Sequence, residues 1–397
     1  MDRSGPEQEA FRREFRTFLS ERLPDALRAH VAKGGYPSFA DRRAWFAALA
    51  ERGWSAPTWP VEYGGAGLGW RARAIIDEEL ADHDAPALES IGLNIAGPAI
   101  LAFGTAAQKA RHLPAIARAE EFWCQGFSEP GAGSDLAGLA TRARREGDEF
   151  IIAGSKIWTS EAHEADWMFG LFRTDPDAPK HKGISALLID MRSPGVTVRP
   201  IRWMNGVHGY NEVFFDETRV PAANLLGAEH GGWAVAMGAL GPERVFVSRI
   251  GENKRLLRLL RAAMEEPDES GRPLADDPEF AGRAARLEIR LLALEARFLQ
   301  FLDQLEETGD IGPEVAMLKL TGSTLIQQFE QLITEAYGPA VLPFDPLRIA
   351  AEGLGLEVGP PPAAMAAMRQ LHHRGFSIAA GSSEVQREVI ARRVLHI

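Results

Sequence analysis

Apolar residues recur at helical spacing through the first 118 residues of the chain. Four of them fall at positions i, i+4, i+7 and i+8 and so share one face of a helix: Phe11, Phe15, Phe18 and Leu19. The pattern returns at residues 45–49 and again at 72–83, and a loop rich in Pro and Gly separates the two runs. The spacing predicts a helical domain over residues 1–118.

A different pattern occupies residues 119–229. Short apolar runs of strand length alternate with turn residues, as at 175–177 and 193–195. The runs cover residues 150–154, 167–172, 184–189, 196–198 and 213–215. Because strands repeat every two residues and helices every 3.6, this change of period predicts a separate β domain.

Helical spacing resumes in residues 230–397. One apolar stripe comprises Leu287, Leu291, Leu294, Phe298, Phe301 and Leu305, and a second runs through residues 318–332. A turn at residues 309–313, containing two Gly and one Pro, separates the stripes. The chain is therefore predicted to be an α+β protein with a helical, a β and a second helical domain, at 1–118, 119–229 and 230–397.

Composition excludes several classes of function. The net charge of −11 and the lack of a Lys/Arg run argue against nucleic acid as a partner. A lone cysteine, Cys124, cannot form an internal disulfide, and the charged N-terminus has no apolar signal segment. No apolar run approaches the roughly 18–20 residues of a membrane span. We therefore expect a cytoplasmic protein without a membrane span.

No metal site is expected. His372, His373 and His181 have no carboxylate or cysteine at ligand spacing, so we interpret them as surface histidines.

Three short segments carry the candidate chemistry. Residues 127–135 (FSEPGAGSD) form a turn whose Gly residues allow its backbone to approach a flat ring or a phosphate closely. Residues 156–160 (KIWTS) end a predicted strand with an aromatic ring and two hydroxyls. Residues 381–387 (GSSEVQR) begin the last helix. In this order and spacing, the three segments resemble the flavin- and thioester-binding motifs of the acyl-CoA dehydrogenase family.

The resemblance covers essentially the whole chain and is closest to the large subunits of pimeloyl-CoA dehydrogenase and related heteromeric dehydrogenases. It implies an N-terminal helical domain, a middle β-barrel and a C-terminal four-helix bundle. It also implies FAD as the cofactor and an acyl-CoA as the substrate. The FAD-binding positions that it implies are Gln125, Phe127, Ser128, Ser134, Trp158, Thr159, Ser160, Ser382, Ser383 and Glu384.

The resemblance also implies individual roles for these residues. Backbone groups at Phe127 and Ser128 would meet the flavin pyrimidine, where donors stabilise the negative charge of the reduced ring. Trp158 would lie against the flavin, and the hydroxyl of either Thr159 or Ser160 would lie near its N5 atom. The implied substrate contacts are Ser134, Glu243, Arg244 and Gly381.

The catalytic base is the main departure from the family pattern. Forming a double bond in an acyl thioester requires a group that removes the α-proton, and a desolvated carboxylate suits this task. At the usual position for that carboxylate this chain has Ala380, which cannot accept a proton. Glu243 occupies the position at which isovaleryl-CoA and long-chain type members carry their base, so we predict Glu243 as the catalytic residue.

Two further departures concern the FAD phosphates. The segment in which homotetrameric members carry an Arg for a neighbouring subunit's pyrophosphate reads PDESGRP at residues 267–273, with two acids. On the adenosine side, where the family usually has Gln, this chain has Glu335. Where the family usually has Gly, it has Pro339, which has no N–H to donate. These losses predict a heteromer of α2β2 type, in which a partner chain supplies the missing contacts. The alternative is a homotetramer in which other residues, for instance Arg272, compensate.

The combined prediction is an FAD-dependent acyl-CoA dehydrogenase subunit that passes its electrons to an electron-transferring flavoprotein. Two alternatives remain open from the sequence. One is a non-catalytic subunit that completes the FAD site of a partner, favoured by Ala380 and Pro339 and disfavoured by the retained Glu243, Trp158 and Ser134. The other is a dehydrogenase for acyl groups bound to a carrier protein.

Overall fold

The computed structural model describes residues 5–239, 241–267, 271–342 and 361–397, except the side chains of Pro242, Glu243, Pro361, Pro362 and Ala364. Helices come first along the chain: α1 Pro6–Arg22, α2 Asp25–Ala32, α3 Phe39–Ala50, α4 Trp70–Asp82, α5 Gly97–Phe103 and α6 Ala106–Ala117. Three residues of the predicted stripe on α1 are buried and Phe11 is partly buried, and Phe18 contacts Trp45 of α3 with 6.0 Å between ring centroids. Opposite this apolar contact, Arg16 Nε lies 2.7 Å from the fully buried Glu79 Oε2 of α4. Packing and charge together set how α1 lies on its neighbours.

Eight strands follow: β1 Trp123–Gly126, β2 Arg142–Glu146, β3 Glu149–Ser160, β4 Trp167–Arg173, β5 Ile184–Asp190, β6 Val196–Arg202, β7 His208–Pro221 and β8 Leu225–Leu226. They form one sheet in the order β6-β7-β3-β2-β4-β5-β8, and β1 pairs with β4 in parallel. Strands β4 and β5 are buried on both faces, which matches their nearly continuous apolar sequences. The long strands β3 and β7 pair antiparallel, and β3 carries much of the candidate site.

The last group is helical: α7 Gly232–Ala239, α8 Ile250–Glu265, α9 Pro278–Thr308, α10 Ala316–Tyr337, α11 Pro361–His373 and α12 Ser383–Val389. Helix α9 begins where the Asp277 carboxylate accepts hydrogen bonds from the N–H groups of Glu279 and Phe280. It ends at Gly309, whose φ of 71° is left-handed. Both predicted apolar stripes are buried and form one core with α8.

The helix, sheet, helix order confirms the predicted α+β fold class. The limits 1–118, 119–229 and 230–397 stay a prediction. Within the described ranges, no helix is long and apolar enough to cross a membrane.

Candidate functional site

The end of β3 departs from regular strand alternation. Its register against β7 shifts between Lys156 and Thr159, and Trp158 has a left-handed φ of 59°. The irregularity leaves Lys156 and Thr159 fully buried while the Trp158 side chain is 57% exposed. A positive φ at an aromatic residue is strained, and such strain is typical of functional sites. The bulge therefore presents a flat aromatic surface outward from an otherwise buried strand.

The loop that begins at Phe127 is bound to this part of β3. The Ile157 N–H donates to the Ser128 carbonyl at 2.9 Å, and the Lys156 ammonium donates to the Phe127 carbonyl at 3.2 Å. Both carbonyls thus face β3. The Ser128 N–H has no acceptor among the residues that the structure describes, so it is available to a ligand.

A buried ion pair holds the next residue of the loop. Lys156 Nζ lies 2.6 Å from Glu129 Oε1, and the same carboxylate accepts hydrogen bonds from the N–H groups of Ala140 (2.6 Å) and Thr141 (3.0 Å). Burial alone would raise the pKa of Glu129, but Lys156 and the two N–H donors outweigh it and lower that pKa. For Lys156, burial dominates and lowers its pKa to about 8 despite the neighbouring carboxylate.

The two candidate hydroxyls differ in their surroundings. Thr159 Oγ1 is buried without a hydrogen-bond partner among the described residues, which leaves a polar group to be satisfied by a ligand or water. Ser160 is half-buried at the last position of β3 and lies opposite Tyr210 in the ladder with β7. The difference favours Thr159, of the two, as the hydroxyl near flavin N5.

These groups fit a flavin ring. The unpaired Ser128 N–H and Thr159 hydroxyl can hydrogen-bond the ring's heteroatoms, and Trp158 offers an exposed flat surface beside them. The other two predicted contacts of this part of the chain lie nearby in sequence. Gln125 is half-buried on β1, and Ser134 is exposed in the turn before β2.

The C-terminal segment begins with two left-handed residues. Ala380 has a φ of 55° and Gly381 a φ of 84°, and the Gln386 side chain donates to both of their carbonyls at 3.4 Å. The Ala380 N–H has no acceptor within the described part of the chain. Ser382 caps α12, its hydroxyl accepting from the Val385 N–H at 3.3 Å.

The two remaining C-terminal candidates lie in the first turn of α12. Ser383 is buried, and Glu384 is fully exposed. Hydrogen bonds from its own N–H and from Ser382 lower the pKa of Glu384, so it is an anion at the positive end of the helix.

Glu243 lies in the one stretch of 3₁₀ helix that links α7 to α8, Pro242–Ser248. Its side chain is outside the part of the chain that the structure describes. Arg244 donates to the carbonyls of Gly241 (3.3 Å) and Ile311 (3.4 Å), which braces the start of this helix. The helix ends at Arg249, a left-handed residue with a φ of 50°.

An aromatic cluster joins the three parts of the chain. We define it by the contacting rings of Tyr36, Trp203, Tyr210, His372 and Phe376. Tyr210 also meets Trp158 edge to face, with 6.0 Å between centroids. Through Tyr210 the cluster brings the β3 bulge next to the segment that leads to Ala380.

The cluster corrects one prediction. His372 and His373 are not surface residues: His373 is 5% exposed, with Nδ1 3.1 Å from Glu330, and His372 packs on Tyr36 and Trp203. Burial, aided by His373 and Arg249, lowers the pKa of His372 to about 3, so this ring is neutral. The HH dipeptide alone gave no sign of this, because the burying side chains come from distant segments.

On the phosphate side, Glu335 is engaged within its own chain. It accepts from Arg283 at 2.5 Å and from Gln331 at 3.0 Å. Pro339 lies in a short 3₁₀ helix after α10. Within the 267–273 stretch, Asp268, Glu269 and Ser270 lie outside the described residues.

The sequence alone did not identify several residues around the site. No role follows from the sequence for Tyr210 or Arg249, and Glu129 and Lys156 lie in the motif segments without one. Of these residues, Lys156 could have been recognised from the sequence. A lysine within a predicted buried strand needs a buried partner for its charge.

Comparisons with known proteins identify the family of the chain. Three family models match in order: the N-terminal domain of acyl-CoA dehydrogenase at residues 5–120, the middle domain at 124–218 and the C-terminal domain at 230–395. The acyl-CoA dehydrogenase IpdE1 of Mycobacterium tuberculosis is 36% identical over 396 residues, which span 98% of this chain and 97% of that protein.

Two solved structures have the same fold over the whole chain. The ChsE4–ChsE5 complex from Mycobacterium tuberculosis gives a TM-score of 0.84 at 28% identity, covering 100% of this chain and 99% of the other. A steroid acyl-CoA dehydrogenase, Tcur3481–Tcur3483, gives 0.85 at 28% identity with the same coverage.

The chain belongs to the acyl-CoA dehydrogenase family, and it is an FAD-dependent oxidoreductase. The predictions of family, enzyme class and cofactor are thereby confirmed.

Proposed function

We propose that this chain is the base-carrying subunit of a heteromeric acyl-CoA dehydrogenase that desaturates a bulky acyl thioester between Cα and Cβ. The observation that carries the proposal is the β3 bulge, with its outward Trp158 and the unpaired Thr159 hydroxyl, beside the unpaired Ser128 N–H. When bound, FAD supplies the acceptor for the β-hydride. Thr159 and Ser128 orient the ring, and Trp158 covers part of it.

The remaining roles follow the order of the segments along the site. Gln125 and Phe127 support the flavin at β1, and Ser160 lies at the end of β3. Ser134 meets the thioester arm of the substrate. The segment Ser382, Ser383 and Glu384 holds the FAD of its own subunit, with Gly381 beside the substrate.

The thioester carbonyl needs a hydrogen-bond donor, because polarising it acidifies the α-proton. The Ala380 N–H is free to donate, and its left-handed backbone is fixed by Gln386. Ala380 has no carboxylate, so Glu243 removes the α-proton from the neighbouring 3₁₀ helix, with Arg244 beside it. Electrons leave through an electron-transferring flavoprotein, and the protein works in the cytoplasm.

The acyl group is inferred from the volume near the thioester. Ala379 is small where an aromatic residue is usual, and Ala380 is small where an acid is usual, which favours a branched, ring-bearing or dicarboxylic chain. The solved relative Tcur3481–Tcur3483 is a steroid dehydrogenase, which supports a polycyclic acyl group for this chain.

A second subunit is supported by an exposed apolar stripe on α9. Ile289 is 65% exposed and Leu292 57% exposed, on the face opposite the buried stripe. Exposed alanines at 285, 293 and 296 continue this face. Large exposed apolar residues in a row indicate a protein interface. The related ChsE4–ChsE5 structure is a two-chain complex, so we propose a second dehydrogenase chain, in an α2β2 assembly, on this stripe.

The first experiment measures flavin in the chain purified alone and after co-expression with a second dehydrogenase chain. We expect a colourless chain alone, and a yellow complex whose flavin absorbance bleaches when a ring-bearing acyl-CoA is added. A fully flavinylated homomer would contradict the shared site. A yellow complex that bleaches only with a carrier-protein thioester would identify the substrate as carrier-bound.

A non-catalytic role is the competing function, favoured by Ala380 and Pro339. It predicts that the complex bleaches equally well when Glu243 is replaced by Gln.

The α9 stripe gives a prediction for assembly. Ile289→Asp combined with Leu292→Asp should abolish formation of the complex, because two carboxylates would be buried without partners at the interface. Size-exclusion chromatography measures the loss. The matched control is Arg297→Asp on the same helix, whose Gln300 contact is exposed and local. Intact complexes of the double variant would place the partner on another surface.

A further inference from the structure

Arg249 is an unusual residue at the junction of the 3₁₀ helix and α8. Its left-handed backbone, with φ 50° and ψ 51°, is a conformation in which Gly would carry no steric cost. Strain of this kind at a charged residue is reason to look for a function. The side chain is 31% exposed and does not turn away into solvent.

The Arg249 guanidinium packs on the aromatic cluster. It lies 4.2 Å from the ring centroid of Phe376, four residues before Ala380. Its charge acts on Tyr210, the residue that contacts Trp158: burial raises the pKa of Tyr210, and Arg249 partly opposes that rise. Arg249 also ends the 3₁₀ helix Pro242–Ser248 on which Glu243 lies.

The partner of Arg249 comes from the N-terminal domain. The Glu89 carboxylate accepts from both Arg249 Nη1 and Nη2, the latter at 3.2 Å. Glu89 is the more exposed member, at 57%, whereas the guanidinium is held by Phe376. An exposed ion pair contributes little stability, so a competing oxygen ligand can replace the carboxylate at low cost.

A substrate with a simple hydrocarbon acyl group would not explain why an arginine lies against the aromatic cluster. The rings of the aromatic cluster suit an apolar acyl group, but an apolar group beside a guanidinium would leave that charge without a hydrogen-bond acceptor. Arg binds carboxylate and carbonyl oxygens with a planar fork of donors. The Arg249 fork is occupied by a displaceable acid from the same chain.

From this geometry we infer that Arg249 is a specificity-determining residue that binds an oxygen acceptor at the distal end of the acyl group, and that Glu89 occupies its place when no substrate is bound. The inference rests on the proposed function. The substrate class becomes a bulky acyl thioester with a distal carboxylate or ketone.

Three CoA thioesters test the inference. They share one ring-bearing acyl skeleton and differ only at its distal end, which carries a carboxylate, a ketone or a methyl group. With the holoenzyme complex, Arg249→Met should lower kcat/KM by about 10- to 100-fold for an oxygenated thioester, the range of a charged hydrogen bond. The methyl thioester should change less than about threefold. The comparison of carboxylate and ketone decides which oxygen is preferred.

Glu89→Gln supplies the opposite change. Removal of the competing charge should raise kcat/KM for the carboxylate thioester several-fold, mainly through KM, and leave the methyl thioester unchanged. The matched control for Arg249→Met is Arg258→Met. Arg258 lies on α8, which begins directly after Arg249, and its guanidinium pairs with Asp82 at 2.6 Å. Opposite signs for the Arg249 and Glu89 variants cannot arise from a common loss of structure. Equal losses on all three thioesters, or the same sign for both variants, would overturn the inference.

Calorimetric titration with a redox-inert thioether analogue of each acyl-CoA gives a readout besides turnover. Failure of the wild-type complex to oxidise any of the thioesters would contradict the proposed function. The titrations would still test the role of Arg249, because the binding preference for an oxygenated analogue must vanish in Arg249→Met.

Discussion

Glu243→Gln is expected to retain bound FAD and to lose substrate-driven bleaching of the flavin by at least about 100-fold, since a positioned general base contributes roughly 10²–10⁴. The physical reason is the absence of a second base at the position where Ala380 stands. An alanine methyl group cannot accept the α-proton, and glutamine keeps the shape of the glutamate without its basicity. Stopped-flow absorbance after addition of the acyl-CoA measures the effect.

The control for this variant is Glu265→Gln, an exposed residue on α8. It should bleach at the wild-type rate. Bleaching that survives in Glu243→Gln would remove Glu243 from the mechanism and favour a base from the partner chain. The flavin-to-protein ratio, measured in parallel, distinguishes a loss of catalysis from a loss of bound FAD.

Relocation of the carboxylate is a stricter test of the same prediction. In the Glu243→Gln background, Ala380→Glu should restore part of the bleaching, because it returns an acid to the usual position of the family. The recovery should be incomplete, since residue 380 has a left-handed φ of 55° that strains a longer side chain. A recovery with Ala380→Gln in the same background would show that charge is irrelevant.

Lys156→Met should produce the second large effect, a fall of about 3–5 kcal/mol in the free energy of unfolding together with loss of FAD, as expected when one member of a buried pair is removed. The Glu129 carboxylate would remain 8% exposed without its cation, and the Phe127 carbonyl would lose its donor. Urea unfolding measures the stability, and equilibrium dialysis with FAD measures the affinity.

A double variant separates stability from cofactor binding. Lys156→Met with Glu129→Gln removes both charges and keeps an acceptor for the Ala140 and Thr141 N–H groups, so stability should largely return. FAD affinity should stay low, because nothing holds the Phe127 carbonyl toward β3. Recovery of both properties would mean that Lys156 has only a structural role.

The control is an exposed lysine between β4 and β5 whose partner lies in the 127–135 turn. Lys180→Met breaks the exposed contact of Lys180 with Asp135 and should change stability by less than about 1 kcal/mol.

The pH dependence of the folding stability follows from the lowered pKa of Glu129. Because its folded pKa lies below 4.5, its stabilising contribution is present above that value and is lost as the pH falls through the lowered pKa.

Local patterns were sufficient for the long helices, for the central strands of the chain and for the class of cofactor. The stripes on α1, α9 and α10 are buried where the spacing predicted helices, and the five predicted apolar runs lie in β3 to β7. Such patterns are readable because periodic burial repeats within one segment. The turn at 127–135 and the segment at 156–160 were likewise readable as motifs.

The sequence by itself determined the order of helical and β regions and the enzyme family, and it offered two hydroxyls as candidates for the flavin contact. Only the tertiary structure distinguished Thr159 from Ser160, because the bulge that turns Trp158 outward depends on pairing with β7. It also joined Lys156 to Glu129, which are 27 residues apart, and Arg249 to Glu89, which are 160 apart. The physical reason is common to all three cases: burial and charge pairing are set by whichever distant segment packs alongside, and no local periodicity encodes that neighbour.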